Sequence, residues 1–405
     1  MVEKTVSDAG FIAPTITRTP ITGSPVRYTV EELTHRDDVL RLKEEWRALE
    51  KSSFGSVAFQ SFRFCLHWLD NYAYANDATH EPKIAAVREP GGRLMALAPW
   101  AEKRGGLVRL AEWIGEPLLQ YGDILLHPSA EKGAVRRALS DAMGRWAIHG
   151  LHLRNVRDDS RIRQVLDLDG GAVGQARQAA FCDMTQYADA EAYFQGFSRS
   201  SRKTRRLKRR RLEERGELTF EHLPAGPEAQ KIYKTALAWK KAWLEKQGLS
   251  SRAFQDDKAL AMLEAMTADQ ASDNPIHVYA LYLDQQPISV EISFADAGAV
   301  MAFMGMYDPD FEALSPGKIQ MESSIRLGFD EGWKGYDLLA PMADYKASWT
   351  NTQVGLMDYL LASTVSGLVY KHAFLGVIRP SAKAALMALP TKLRSKILGQ
   401  KSADT

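Results

Sequence analysis

A chain of 405 residues is long enough for two domains with ample cores, since single domains usually run to about 100 to 200 residues. Hydrophobic residues make up 45% and charged residues 25%, the proportions of an ordinary globular protein, and a formal net charge of +2 excludes nucleic-acid binding by the bulk of the surface. Cys65 and Cys182 are the only cysteines, which excludes a disulfide framework and a thiolate metal site and makes a reducing compartment, the cytoplasm, the expected location.

Residues 1–25 lack the continuous apolar core of a secretory signal and read as a flexible leader. From Arg27 a short strand leads into a helix whose apolar positions Val39, Leu42, Trp46 and Leu49 recur at helical spacing. A second helix follows with Phe62, Leu66, Leu69 and Tyr72 on its buried face. Lys83 to Val87 and Leu94 to Trp100 are strand-like runs joined by Glu89-Pro90-Gly91-Gly92, a hairpin signature. Strand-like pieces at Val108 to Ile114 and Tyr121 to Leu126, a helix from Glu131 to Ile148 and a strand at Leu151 to Val156 complete a mixed α/β domain over residues 26–178. Gly170 to Gly174 read as a connection, and Ala179 to Gln186 as an extended segment opening a second domain over residues 179–370.

The second domain runs as a helix (Ala190 to Arg215), a strand (Leu218 to His222), helices at Glu228 to Gln247 and Asp256 to Thr267, and strands at Val278 to Leu283, Pro287 to Ala295 and Val300 to Tyr307. A helix from Lys318 to Glu331 and a strand from Tyr336 to Leu339 complete it. Both halves therefore order helices, a three-strand meander, a helix and a strand, the pattern of an internal duplication. The run Gly355 to Val369 is broken by Asp358 and small polar residues, short of the roughly 18 uninterrupted apolar residues of a membrane span.

The stretch 299–349 carries most of the chemistry. Its apolar strand is followed by Ser315-Pro316-Gly317 at a helix start, where unpaired backbone N–H groups attract anions. Gly317 permits close backbone approach, Pro316 pre-sets the first-turn φ, and Lys318 adds a cation. The same residues equally make a plain helix start, with Ser315 as N-cap and Pro316 at N1.

The basic run SRSSRKTRRLKRRRLEERGEL (198–218), the helix ALAWKKAWLEKQG (236–248), the strand PISVEISF (287–294), MYDPDFEALSPGK (306–318) and GYDLLAPMADYKASW (335–349) together resemble the GNAT-like acyltransferase module of the CelD/BcsL family. Its FemAB-type relatives carry two such modules in tandem. WRALE (46–50), FQSFRFCLHWLDNY (59–72), APW (98–100) and YGDILLHP (121–128) extend the resemblance, less specifically, into the first half. The implied fold is two tandem GNAT-like, acyl-CoA N-acyltransferase domains with mixed sheets. The implied activity is transfer of an acyl group from acyl-CoA, a co-substrate rather than a permanent cofactor, to an amine on a sugar, a polysaccharide precursor or a sphingoid-type lipid. No metal is required.

The resemblance places the donor's pantetheine arm along Met304 to Tyr307, at Met306 and Tyr307, and its pyrophosphate at Ser315, Pro316, Gly317 and Lys318. The usual phosphate loop of the fold, a Gln or Arg followed by two spaced glycines, is absent, so acyl-CoA, an acyl carrier protein and an aminoacyl-tRNA all stay open as donors. Attack by an amine on a thioester needs a base and a proton source near the leaving thiolate. Glu291 is the expected base; its plain reading is an exposed carboxylate on the polar face of a half-buried strand. Asp337, with Lys346 as its expected partner and Tyr345 alongside, forms the expected catalytic cluster at a strand end; its plain reading is a structural ion pair.

Between Arg199 and Arg215 ten Lys or Arg residues face only Glu213 and Glu214. The segment is read as polar all round and exposed beside the site, with Arg202, Arg205 and Arg206 as ligands for CoA phosphates, an acidic carrier, tRNA or an anionic membrane. Residues 371–405 form a basic amphipathic tail suited either to peripheral contact with the inner membrane face or to docking on the protein itself. P-loop, HExxH, paired-cysteine and Gly-x-Ser-x-Gly motifs are missing. A non-catalytic partner in exopolysaccharide or cellulose assembly is the alternative from a different class.

Overall fold

The computed structural model describes residues 26–53, 55, 58–296, 298–378 and 381. The expected leader, and the tail from residue 382 onward, lie outside the described residues. The first half contributes strands β1 (Thr29–Leu33), β2 (His80–Arg88), β3 (Leu94–Lys103), β4 (Leu110–Trp113), β5 (Leu125–Leu126) and β6 (Gly150–Arg157). After β7 (Ala172–Asp183) come β8 (Leu218–Leu223), β9 (Ile276–Leu283), β10 (Gln286–Ala295), β11 (Ala299–Tyr307), β12 (Gly335–Asp337) and β13 (Thr352–Ala362).

The same unit is built twice. β1 to β4 pair antiparallel in sequence order, and β4 then pairs parallel with β6. β8 to β11 repeat the antiparallel run, and β11 pairs parallel with β12. A parallel pair needs a crossover, supplied by the helix Lys132–Trp146 in the first unit and Pro316–Asp330 in the second.

The units then exchange strands. β7 follows the first unit in sequence, yet Phe181–Asp183 pair with β12 of the second. β13 follows the second unit, yet pairs with β6 of the first and, on its other side, with β7. One sheet results, in the order β1-β2-β3-β4-β6-β13-β7-β12-β11-β10-β9-β8, with β5 attached to β3. The junction between residues 178 and 179 lies inside β7.

The core follows the periodicities of the sequence. Val39, Leu42, Trp46 and Leu49 are buried, as are Phe62, Leu66, Leu69 and Tyr72, and the hairpin closes at Gly92, whose φ of +86° suits glycine. Burial continues across the units: the rings of Phe59 and Phe64 lie 5.1 and 5.6 Å from that of Phe294. At the rim of this contact Arg63 pairs with Asp273 at 2.8 Å and His67 with Asp269 at 2.9 Å.

Four local expectations change, one being that the connection expected at Gly170 to Gly174 is already strand from Ala172. The helix expected over 190–215 divides into Ala190–Gln195 and Arg199–Glu213, because Ser198 adopts a capping geometry and accepts from the backbone N–H of Ser201 at 3.2 Å. The strand expected over 121–126 shrinks to two residues because the Asp123 carboxylate takes the N–H groups of Ile124, Arg161 and Ile162, tying the segment to a turn rather than a ladder. β13 has no counterpart in the sequence reading. The Asp358 that interrupts its apolar run is bound by the Asn155 N–H at 2.8 Å and paired with Arg177. Among the described residues no helix is long and apolar enough to cross a membrane.

Candidate functional site

β11 and β12 pair only from Ala299↔Gly335 to Met301↔Asp337, beyond which β11 continues to Tyr307 bonded to β10 alone. The strands part at Asp337. The helix Pro316–Asp330 then starts with no side-chain cap, and Ser315 at its head has a left-handed φ of +52°. The capping hydrogen bond expected of Ser315 is not made; its Oγ instead accepts from Lys208 Nζ at 2.6 Å.

A pocket of about 240 Å³ lies at this helix start. Arg205, Lys208 and Lys318 supply cations to its wall, Ser200, Ser201, Thr204, Ser315 and Ser348 supply hydroxyls, and Ile319 and Trp349 supply apolar surface. Three cations, five hydroxyls and an uncapped helix start suit a phosphate-bearing ligand. Ser315 and Lys318 line the pocket as expected. Met306, Tyr307, Pro316 and Gly317 stand outside its lining: Met306 is buried with its carbonyl bonded by Ser289 Oγ at 3.0 Å, and a Cβ on Gly317 would lie 3.4 Å from the Tyr307 ring.

The basic helix is docked, not exposed all round. Arg205 is 8% exposed. Its guanidinium lies 4.1 Å from the ring centre of Phe197 and 5.0 Å from that of Trp349, with Nε 3.1 Å from Glu322. Aromatic faces and a carboxylate make a buried arginine tolerable where bare polarity pointed to solvent; burial lowers its pKa. Arg209 reaches Ser323 Oγ at 3.2 Å, clamping the two helices together. Arg202 and Arg206 turn instead to a narrow pocket of about 40 Å³ with Glu191, Glu322 and Arg326. Arg205 lines both pockets.

Glu291 lies, as expected, opposite Val290 and Ile292, but the helix Pro316–Asp330 covers that face. The plain reading of an exposed carboxylate therefore fails. The carboxylate accepts from Ser293 Oγ at 2.7 Å, Ser324 Oγ at 3.1 Å and Tyr336 OH at 2.7 Å. Burial raises its pKa against the pull of these hydroxyls. It ties the helix Pro316–Asp330 to β10 and β12.

Asp337 is 1% exposed, and its side-chain partners come from the first unit. Tyr121 OH donates to Oδ2 at 2.8 Å, the N–H of Leu339 to Oδ1 at 2.7 Å, and Arg157 Nη1 stands 3.6 Å from Oδ2. Burial raises its pKa, while Arg157 and Tyr121 favour the ionised form. Lys346 is not the bonded partner expected: its Nζ donates to the carbonyls of Leu339 and Pro341, both at 3.0 Å, because the turn after β12 aims those oxygens at it. Tyr345 is 52% exposed, so Asp337, Tyr345 and Lys346 do not converge on one point. Sequence reasoning missed Tyr121 and Arg157, which no local spacing connects to Asp337, and Lys208, which stood unmarked inside the basic run.

The first unit lacks an open counterpart of the start of the helix Pro316–Asp330. There Glu131 caps the helix Lys132–Trp146, accepting from the N–H groups of Gly133 at 2.9 Å and Ala134 at 2.5 Å. The chain's own carboxylate occupies the place an anion would take.

Two units of this topology, joined through exchanged strands into one mixed sheet, define a tandem GNAT-type fold. Residues 199–347, within the second unit, match the family model described as the acetyltransferase (GNAT) domain. The structure is similar to the crystal structure of FemX, with a TM-score of 0.57 and 14% identity over 85% of this chain and 99% of that one. It is also similar to a conserved protein of unknown function from Bacteroides thetaiotaomicron VPI-5482, with a TM-score of 0.52 and 9% identity over 82% of this chain and 100% of that one. At such identities the likeness is one of fold. No curated protein matches the sequence.

Proposed function

We propose that this protein is an N-acyltransferase that carries an acyl group from acyl-CoA to an amine by direct attack on the thioester. The observation that carries this reading is the cationic, hydroxyl-lined pocket at the start of the helix Pro316–Asp330, inside the segment that matches the GNAT domain. The donor's phosphates sit against Lys208, Lys318 and Ser315, and its acyl arm follows β11 toward the point where β12 parts from it. The self-capped helix of the first unit leaves one donor site per chain.

In the transfer the amine nitrogen bonds to the acyl carbon and the carbon–sulfur bond breaks. The amine proton passes to Asp337, which stands where the strands part, and the leaving thiolate is protonated from solvent, Tyr345 standing exposed and apart from Asp337. Glu291 and Lys346 are positioning residues: one holds the donor-side helix, the other the turn after β12. Amines on a sugar, a polysaccharide precursor or a sphingoid-type lipid are the acceptor classes that the CelD/BcsL resemblance favours.

Calorimetric titration with acyl-CoA, followed by thiol release in the presence of an amine panel, tests the reading. Binding at one site with amine-dependent release of CoA supports it. A second reading, donation from an aminoacyl-tRNA, draws on the exposed Arg199, Lys203, Arg206, Arg210 and Arg211 on the basic helix; a protein that shifts charged tRNA and ignores acyl-CoA would select it. Acyl-CoA binding without turnover on any amine would select the non-catalytic assembly role.

A further inference from the structure

Twelve large apolar side chains are exposed among the described residues, and five of them, Val365, Leu368, Val369, Phe374 and Ile378, fall within one short segment. This segment is the helix Val365–Val369 and the π-helical turn Tyr370–Ile378 that continues it. Val365, Leu368 and Val369 recur at helical spacing and share a face. The opposite face is fastened to the protein. A Cβ on Gly367 would lie 2.1 Å from the carbonyl oxygen of His149, and Leu375 is buried with Leu110 and Leu360.

A sixth exposed residue joins them. Leu107, 99% exposed, sits on the loop between β3 and β4 and lines one cavity of about 930 Å³ together with Tyr370 and Phe374. Loop and helical segment are therefore neighbours. Lys103 at the end of β3 and Arg104 after it, both exposed, precede Leu107. From Tyr359 to Ser402 the sequence holds seven Lys or Arg residues and no Asp or Glu. Five carboxylates line the cavity: Asp77 is paired with Lys258, Glu112 and Glu116 with Arg154, and Asp256 caps the helix Asp257–Ala268, of which Asp257 is the first residue.

An apolar patch within a stretch of sequence that carries cations and no carboxylate has the composition of an interfacial contact: apolar side chains enter the headgroup boundary while the cations favour an anionic surface. We propose that Leu107 and residues 365–378 form a face that docks peripherally on an anionic lipid bilayer.

Flotation of the full chain with vesicles tests this independently of any transfer activity. The protein should float with phosphatidylcholine vesicles that contain phosphatidylglycerol, less with phosphatidylcholine alone, and less at high salt. The combined variant Leu107→Ser, Leu368→Ser, Phe374→Ser should partition at least about tenfold more weakly with an unchanged thermal melt. Leu107→Ser alone, at a fully exposed position, keeps the test valid should the combined variant melt early, and should weaken partitioning about threefold. Equal flotation of wild type and variants would overturn the proposal. So would a wild type that stays with the soluble fraction, including one in which light scattering finds this face buried in a dimer.

Discussion

Tyr121 OH donates to Asp337 Oδ2 at 2.8 Å across 216 positions of sequence, so a phenol of the first unit holds the carboxylate that ends β12 of the second. Arg157 completes the contact, its guanidinium 4.8 Å from the centre of the Tyr121 ring. Removing the phenol leaves a buried carboxylate short of a donor. Tyr121→Phe should therefore cost about 1–3 kcal/mol in denaturant unfolding. Because the units also share Phe59, Phe64, Phe294 and two exchanged strands, that unfolding should remain a single transition. Two separated transitions would count against a shared core.

Asp337→Asn tests the catalytic assignment. Turnover should fall at least about a hundredfold while affinity for acyl-CoA is unchanged, since the proposed phosphate site is the pocket at Ser315 and Lys318, which Asp337 does not line. Loss of donor binding in this variant would show a structural role instead.

Lys208→Ala and Lys318→Ala each remove one cation from the donor pocket and should each weaken CoA binding about three- to tenfold, with affinity falling as salt rises. Arg206→Ala, outside that pocket, should leave the affinity within about twofold. Equal losses in all three would point to a diffuse basic surface rather than a built site.

Arg205 combines stacking with an ion pair in a mostly buried setting. Arg205→Ala should destabilise by about 1–3 kcal/mol, and Arg205→Lys should recover only part, because an ammonium cannot stack on Phe197 and Trp349 as a planar guanidinium does. Thermal or denaturant melts of the two variants decide it.

Burial raises the Glu50 carboxyl from 4.5 to about 7, although the Phe62 N–H donates to it at 2.5 Å. A carboxyl raised on folding stabilises below its unfolded pKa and loses that contribution as pH climbs through the folded value. Glu50→Gln should therefore gain on the wild type between pH 4.5 and about 7, by on the order of 3 kcal/mol at most. Melts of both proteins across that window check the sign.

Much of the fold was legible because its signals are local. The 3.6-residue recurrence of Val39, Leu42, Trp46 and Leu49, the Pro-Gly-Gly turn after Arg88 and the Ser-Pro-Gly start of the donor-side helix each depend on neighbours a few positions away. β13 was not legible, since Asp358 breaks its apolar run and the residues that satisfy that charge, Asn155 and Arg177, lie some two hundred positions earlier.

The candidate site divides along the same line. Ser315 and Lys318 could be placed from the turn they occupy, and the density of cations from Arg199 to Arg215 is a property of the sequence alone. Their use was decided by packing: an aromatic cage took Arg205 inward, Lys208 rather than Arg202 reached Ser315, and Asp337 met Tyr121 and Arg157 instead of Lys346. Periodicity and turn chemistry act over a few residues and are written in the chain. The partner of a buried charge is whichever group the folded sheet brings within about 3 Å, and here the exchange of β7 and β13 brought it from the other unit.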